Sequence, residues 1–181
     1  MIQQVLPVES GPVLLDPLHG LKAASPPVGF SHDLLRTELG SGRNAFREAV
    51  HAFQQWQQFD LGWVRVANQT ATIELGQIVA VEVYSIGLWS VNLSRIVSVT
   101  RETGAFGFIY RTTPNHVEEG EERFTLTFDP DTERIHYELE AVSRPRHWMA
   151  SLAYPLTRAF QHRFARGSHD RMRKAVSERI H

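Results

Sequence analysis

The chain has 181 residues, no cysteine, and 19 Lys and Arg against 20 Asp and Glu. That length fits one domain with a short appendage, and a hydrophobic content of 42% excludes wholesale disorder. The missing cysteine excludes disulfide frameworks, cysteine-ligated zinc or iron–sulfur centres and thiol catalysis, while a formal net charge of -1 argues against a general polyanion binder.

Residues 1–29 hold five of the nine prolines, Pro7, Pro12, Pro17, Pro26 and Pro27. Such a density denies the segment a regular helix or a central strand, and it reads as an extended arm that wraps the body. No basic residue precedes Lys22 and Pro7 and Glu9 interrupt the apolar start, so no secretory signal is predicted. The domain proper is expected over 30–181.

Strand character is weak over 31–39. Gly40-Ser41-Gly42 then breaks the chain, with Ser41 as the expected N-cap. It lacks the trailing Gly or the Gly-Lys-Ser/Thr of nucleotide loops. Phe46, Val50 and Phe53 follow at helical spacing, with Ala49 and Trp56 beside them, which predicts a helix over 43–58.

After Gly62 the period changes to two. Strands are expected over 63–67, 70–75, 77–84, 89–100, 105–112, 121–128 and 134–143, separated by Asn68, Gly76, Gly87, Gly104, Pro114-Asn115, Gly120 and Asp129-Pro130-Asp131. Short connections imply an antiparallel meander. The apolar window 75–93 carries Gln77, Glu82, Ser85, Ser90 and Asn92, so it is read as strands and no transmembrane segment is predicted. A cytoplasmic location is the expectation.

A long helix is predicted from about Trp148 to Ser177, with Leu152, Leu156, Phe160, Phe164, Met172 and Val176 on one row. A curved antiparallel sheet must cover its apolar face, and this helix has the length to do so. The expected fold is therefore α+β, a helix grip: about six or seven antiparallel strands wrapped around a long C-terminal helix.

Alternation places Phe106, Phe108 and Tyr110 on one face, with Phe124, Leu126 and Phe128 and with Ile135, Tyr137, Leu139 and Ala141. Val91, Leu93, Val97 and Val99 form a similar row. Arg95 falls within that row, and Glu122 precedes Phe124 by two. A lone charge in an apolar interior is costly, so Arg95 and Glu122 are expected to meet inside the grip beside Tyr110, unless a bulge turns Arg95 outward. The expected cavity lining is Phe106, Phe108, Phe124, Leu126, Tyr137, Leu139, Leu156 and Phe160.

Further motifs suggest chemistry less directly. His116-Val-Glu-Glu-Gly-Glu-Glu122 is rich in proton-moving groups but matches no metal spacing; neither a metal nor another cofactor is expected. Arg144, within Ser143-Arg144-Pro145, is a secondary candidate that could bond carbonyls or the preceding carboxylates or simply end the strand, and His147 could line the cavity mouth or staple the helix to the sheet. Residues 143–181 carry nine Lys and Arg against two Asp and Glu. That face could meet a membrane surface peripherally, but it more often pairs with acidic loops of the same chain. No specific nucleic-acid partner is expected, because the last turns lack interleaved aromatics.

Several of these residues carry a family resemblance. Gly107-Phe108-Ile109-Tyr110, Thr112-x-Pro114-x-His116, Glu119-Gly120-Glu121-Glu122-x-Phe124 and Ser143-Arg144-Pro145 occur in order, with Asn92-x-x-Arg95-Ile96-Val97 upstream and Pro155-x-x-Arg158-x-x-Gln161 downstream. The chain resembles, over about 24–178, the domain of unknown function family nineteen-ninety. That family is similar to the START-like, or Bet v 1-like, superfamily. The resemblance implies the same helix-grip fold and carries no established activity. Its superfamily includes lipid and hormone binders and polyketide cyclases. The expected function is binding of a small apolar or amphipathic molecule between sheet and terminal helix. The alternatives are a cyclase- or hydrolase-like enzyme using the same polar groups, and an interaction module with a packed core.

Overall fold

The computed structural model describes residues 13–85, 87–114, 118–145 and 154–180, and in the last of these the side chains of 158–179. A small hairpin, β1 (Leu15–Asp16) and β2 (Gly20–Leu21), precedes the long strand β3 (Ser31–Ser41). Helix α1 (Arg43–Gln54) follows, then a 3-10 turn over Gln57–Phe59. Strands β4 (Val64–Val66), β5 (Ile78–Ser85), β6 (Leu88–Glu102), β7 (Ala105–Thr112), β8 (Glu118–Phe128) and β9 (Arg134–Pro145) lead to helix α2 (Tyr154–Ile180). The sheet is a seven-stranded antiparallel meander in the order β3-β9-β8-β7-β6-β5-β4, so the first strand closes beside the last.

Two local expectations differ. Residues 70–75 form a loop, not a strand; the buried Trp56 indole donates to Ala71 O at 2.9 Å and pins it. Gly42, not Ser41, caps α1, with φ 95 and no side-chain bond. Ser41 still belongs to β3, and the turn into the helix needs a positive φ that only glycine adopts freely.

The sheet curls where strands approach closely. A Cβ on Gly120 would lie 2.2 Å from Val142 O, and one on Gly107 2.4 Å from Phe124 O. Glycine in strand interiors marks such approaches. Inside the curl, Phe53 of α1 packs on Phe106, Phe108 and Tyr137, and Trp56 packs edge-on to Phe108. Phe59 lies between Phe124 of the sheet and Phe164 of α2. Lower on α2, Ser168 bonds the buried Tyr137 hydroxyl at 2.8 Å, and the His169 ring meets Tyr137 edge-on. Met172, Ala175 and Val176 complete the core.

Positions that alternation assigns to the outer face are also buried. Glu121, Arg123 and Glu140 are 2%, 3% and 2% exposed because the arm crosses them. Leu15 packs on Ile109 and Val142. Glu121 Oε2 accepts the backbone N–H groups of Leu14 and Leu15, and Glu140 Oε1 accepts that of Leu21. Arg111 bonds Glu121, and Arg123 bridges Glu138 and Glu140. Each buried charge thus has an opposite charge and a hydrogen bond, as burial requires.

The basic side chains of α2 are spent largely within the chain. Arg158 pairs with Asp33, Arg171 with Asp60, and Arg179 with Glu48. Arg163 lies 4.3 Å over the Trp63 ring. No helix among the described residues is long and apolar enough to cross a membrane.

Candidate functional site

The strands β4 to β8 and the first turns of α2 line a partly open cavity of about 140 Å³. Its apolar wall is Phe59, Trp63, Val81, Val83, Phe160 and Phe164. Its polar wall is Asn92, Ser94, Tyr110, Glu118, Glu122 and Gln161. Strand register explains this grouping. Val81 stands opposite Asn92, Ile96 opposite Tyr110, and Tyr110 opposite Glu122. Directly opposed residues point to one face, so β5 to β8 deliver them to the same concave surface.

Tyr110 donates its hydroxyl proton to Glu122 Oε2 at 2.7 Å. Burial raises the Glu122 carboxyl to about 7, the negative Glu118 and Asp33 push the same way, and the Tyr110 hydrogen bond opposes them. Burial also raises Glu118, against a hydrogen bond from Gln161 and the charge of Arg158. Gln161 Nε2 reaches both Glu118 oxygens, at 3.0 and 3.1 Å. Burial, then the adjoining Glu122 charge, holds the Tyr110 phenol well above its usual range, so Tyr110 is a neutral donor. The wall therefore offers an acid that changes charge near neutrality, oriented by a phenol. No group of three or more His, Asp or Glu is placed to hold a metal among the described residues.

The structure brings Tyr110, Glu122 and Phe160 together at the cavity and leaves Arg95 out. On β6 the register shifts between Ile96 and Ser98. That one extra residue reverses the facing on either side of it. Asn92, Ser94 and Ile96 point inward before the shift, and Val99 after it. Arg95, opposite Arg111, lies on the outer face, where it bonds Gly76 O at 3.3 Å. The expected meeting of Arg95 with Glu122 does not occur.

Phe106, Phe108, Phe124, Leu126, Tyr137 and Leu139 are core residues and do not line the cavity. The aromatic side chains of α1 and the 3-10 turn fill the space beside them. Arg144 sits at the sheet end, bonded to Glu119 and stacked 4.8 Å over Phe30. His116, His147 and the Leu156 side chain lie outside the described residues. The wall residues that single-sequence reasoning passed over include Asn92 and Gln161. Both stand in the motif runs that carry the family resemblance, a signal that could have marked them.

Comparison with known proteins agrees with this architecture. The family model described as domain of unknown function (DUF1990) matches residues 17–171. A UPF0548 protein of Dictyostelium discoideum is 36% identical over 158 residues, which cover 81% of this chain and 73% of the relative. A UPF0548 protein of Arabidopsis thaliana is 29% identical over 155 residues, covering 82% and 75%. Among solved structures, the Zhui aromatase/cyclase from Streptomyces sp. R1128 superposes with a TM-score of 0.60 at 14% identity, over 84% of this chain and 96% of that one. Ara h 8.0201 does so with a TM-score of 0.52 at 10% identity, over 83% and 99%. At those identities the likeness is one of fold: a curled antiparallel sheet against a C-terminal helix, the Bet v 1-like helix grip.

Proposed function

The chain belongs to the DUF1990 family, and from that premise we propose that it binds a small apolar or amphipathic molecule in the cavity between sheet and C-terminal helix. The observation that carries this reading is the cavity's division into an aromatic and aliphatic wall and a polar wall. Ligand sites typically combine apolar lining with a few convergent polar groups. Apolar cavities of about 150 Å³ take up benzene, so a volume of about 140 Å³ suits a molecule built on one aromatic ring or a short branched chain. A fully packed interaction module would lack this space. Peripheral membrane contact through α2 is less favoured, since Arg158, Arg171 and Arg179 pair within the chain.

One observation supports a second reading. A carboxyl at about 7 that accepts from a phenol has the proton affinity of a general acid–base pair. A cyclase- or hydrolase-like reaction on the bound molecule would use Glu122 to move the proton and Tyr110 to orient it.

The test is native mass spectrometry of the purified protein, with extraction of co-purified small molecules, beside a Val81→Phe variant that fills the cavity. A bound mass that is lost in Val81→Phe supports the reading. A bound mass that persists unchanged in the variant places binding elsewhere and overturns it.

A further inference from the structure

We propose that an open groove between helix α1 and the β6–β7 hairpin binds an organic phosphate, a phosphate monoester on a small apolar body. The groove offers about 500 Å³ beside Phe46, Val50 and Phe106. It runs on, past Arg47 and Thr103, into a hollow of about 360 Å³ over Phe128. Ligand sites commonly measure about 300–1,000 Å³. The groove shares no lining residue with the cavity between sheet and α2, so occupancy of one does not bear on the other.

The cations of the groove are unusual in this chain. Arg43 and Arg47 line it from α1 and Arg101 from β6. Each is oriented by a neighbour. Arg43 stacks 5.2 Å over the Phe128 ring, Arg47 donates to Asn44 Oδ1 at 2.5 Å, and Arg101 donates to Ile73 O at 2.6 Å. None of the three forms an ion pair among the described residues, whereas Arg36, Arg65, Arg134 and Arg144, equally at the surface, face Glu138, Glu82, Glu38 and Glu119. A guanidinium has five N–H donors, so most of theirs remain for a ligand. Helix stability does not account for Arg43. A cation in the first turn opposes the helix dipole, and no acidic residue stands there to offset it.

Three guanidinium groups around one hollow suit a dianion. Arginine binds phosphate oxygens through paired N–H groups, and a phosphate monoester carries two charges above its second pKa of about 6. The apolar body of the ligand then rests on Phe46, Val50 and Phe106. Glu102 stands in the same wall and opposes an anion, so it limits the affinity without reversing the sign. A cationic ligand meets three like charges against this one opposite charge, which is a means of rejection.

The experiment is an NMR titration of the full chain with phenyl phosphate, inorganic phosphate and benzyl alcohol at about pH 7.5 and constant ionic strength. It is repeated on Arg47→Gln and Glu102→Gln, both at exposed positions, where substitution spares the core. Phenyl phosphate is expected to shift the amides of 43–54 and 101–106 and to bind roughly fivefold or more tighter than either other probe. Its affinity falls roughly tenfold in Arg47→Gln and rises roughly twofold in Glu102→Gln. Inorganic phosphate or benzyl alcohol binding as tightly as phenyl phosphate overturns the proposal. So does an affinity that ignores either substitution, or a set of shifts that leaves the groove untouched. Failure of phenyl phosphate to bind at all overturns it too, and leaves the reading of the cavity as it stands.

Discussion

The Tyr110 hydroxyl and the Glu122 carboxylate lie directly opposite on neighbouring strands and share a 2.7 Å hydrogen bond at the polar wall of the cavity. That bond favours the ionised acid, but burial and the adjacent Glu118 and Asp33 outweigh it. Removing the phenol oxygen therefore has a predictable sign. In Tyr110→Phe the Glu122 titration moves above its wild-type value of about 7. Carboxyl-carbon NMR across the neutral range reads the shift directly; a midpoint that stays in place or falls would show that the bond contributes nothing to the ionised form.

Arg123 and Arg95 give opposite expectations, although both are arginines on the outer face of the sheet. Arg123 is 3% exposed and holds Glu138 and Glu140 beneath the N-terminal arm. Arg123→Met takes the guanidinium from the buried Glu140 and leaves it His32 and the Leu21 N–H, while Glu138 keeps Arg36; the loss is about 3 kcal/mol. Arg95 reaches a backbone carbonyl at the surface, and Arg95→Ala costs about 0.5 kcal/mol. Urea denaturation of both variants checks the pair, and equal losses would contradict the burial of Arg123 beneath the arm.

The arm itself can be tested through its carboxylate anchor. Glu121 Oε2 accepts two consecutive backbone N–H groups, from Leu14 and Leu15. Glu121→Gln keeps the shape but turns a charged acceptor into a neutral one beside Arg111. The expected loss is about 2 kcal/mol, with faster amide hydrogen exchange at Leu14 and Leu15. Unchanged protection at those two amides would show that apolar packing of Leu15 alone retains the arm.

These residues also show what a single sequence can and cannot convey. The inward rows on β7, β8 and β9 were legible because an unbroken strand keeps its period of two, and Tyr110 was thereby placed close to Glu122, although the partner expected for Glu122 was Arg95. The row on β6 was misread because one extra residue between Ile96 and Ser98 inverts the facing without any glycine or proline to mark it. Asn92 and Ser94 thereby entered the cavity and Arg95 left it. The buried outer network around Arg123 was invisible for a different reason. Alternation reports which face a residue occupies, not what another segment lays across that face, and the arm's contacts with Glu121 and Glu140 span more than a hundred residues. Likewise, the helix over 43–58 was expected, but its aromatic side chains fill the space assigned to ligand, which leaves the cavity beside Trp63 and Phe160.

Two buried titrating groups set opposite slopes on stability against pH. Glu122 rises from an ordinary 4.5 to about 7 in the fold. The folded state thus holds its proton more tightly, so this contribution is complete below about 4.5 and is lost as pH rises through 7. Burial lowers His169, with the Arg173 charge adding to the effect, from 6.5 to about 4. Its neutral form is favoured in the fold, so stability is lost as pH falls from 6.5 towards 4. Each shift corresponds to about 3 kcal/mol at full extent. Between roughly pH 4.5 and 6.5 the two terms oppose one another, and the wild type should show a shallow profile there. Glu122→Gln removes one slope and leaves a protein that loses stability on acidification. His169→Phe removes the other and leaves one that gains it. Denaturant midpoints of the three proteins across that window check the signs; parallel profiles would mean that neither group titrates differently in the fold than in the unfolded chain.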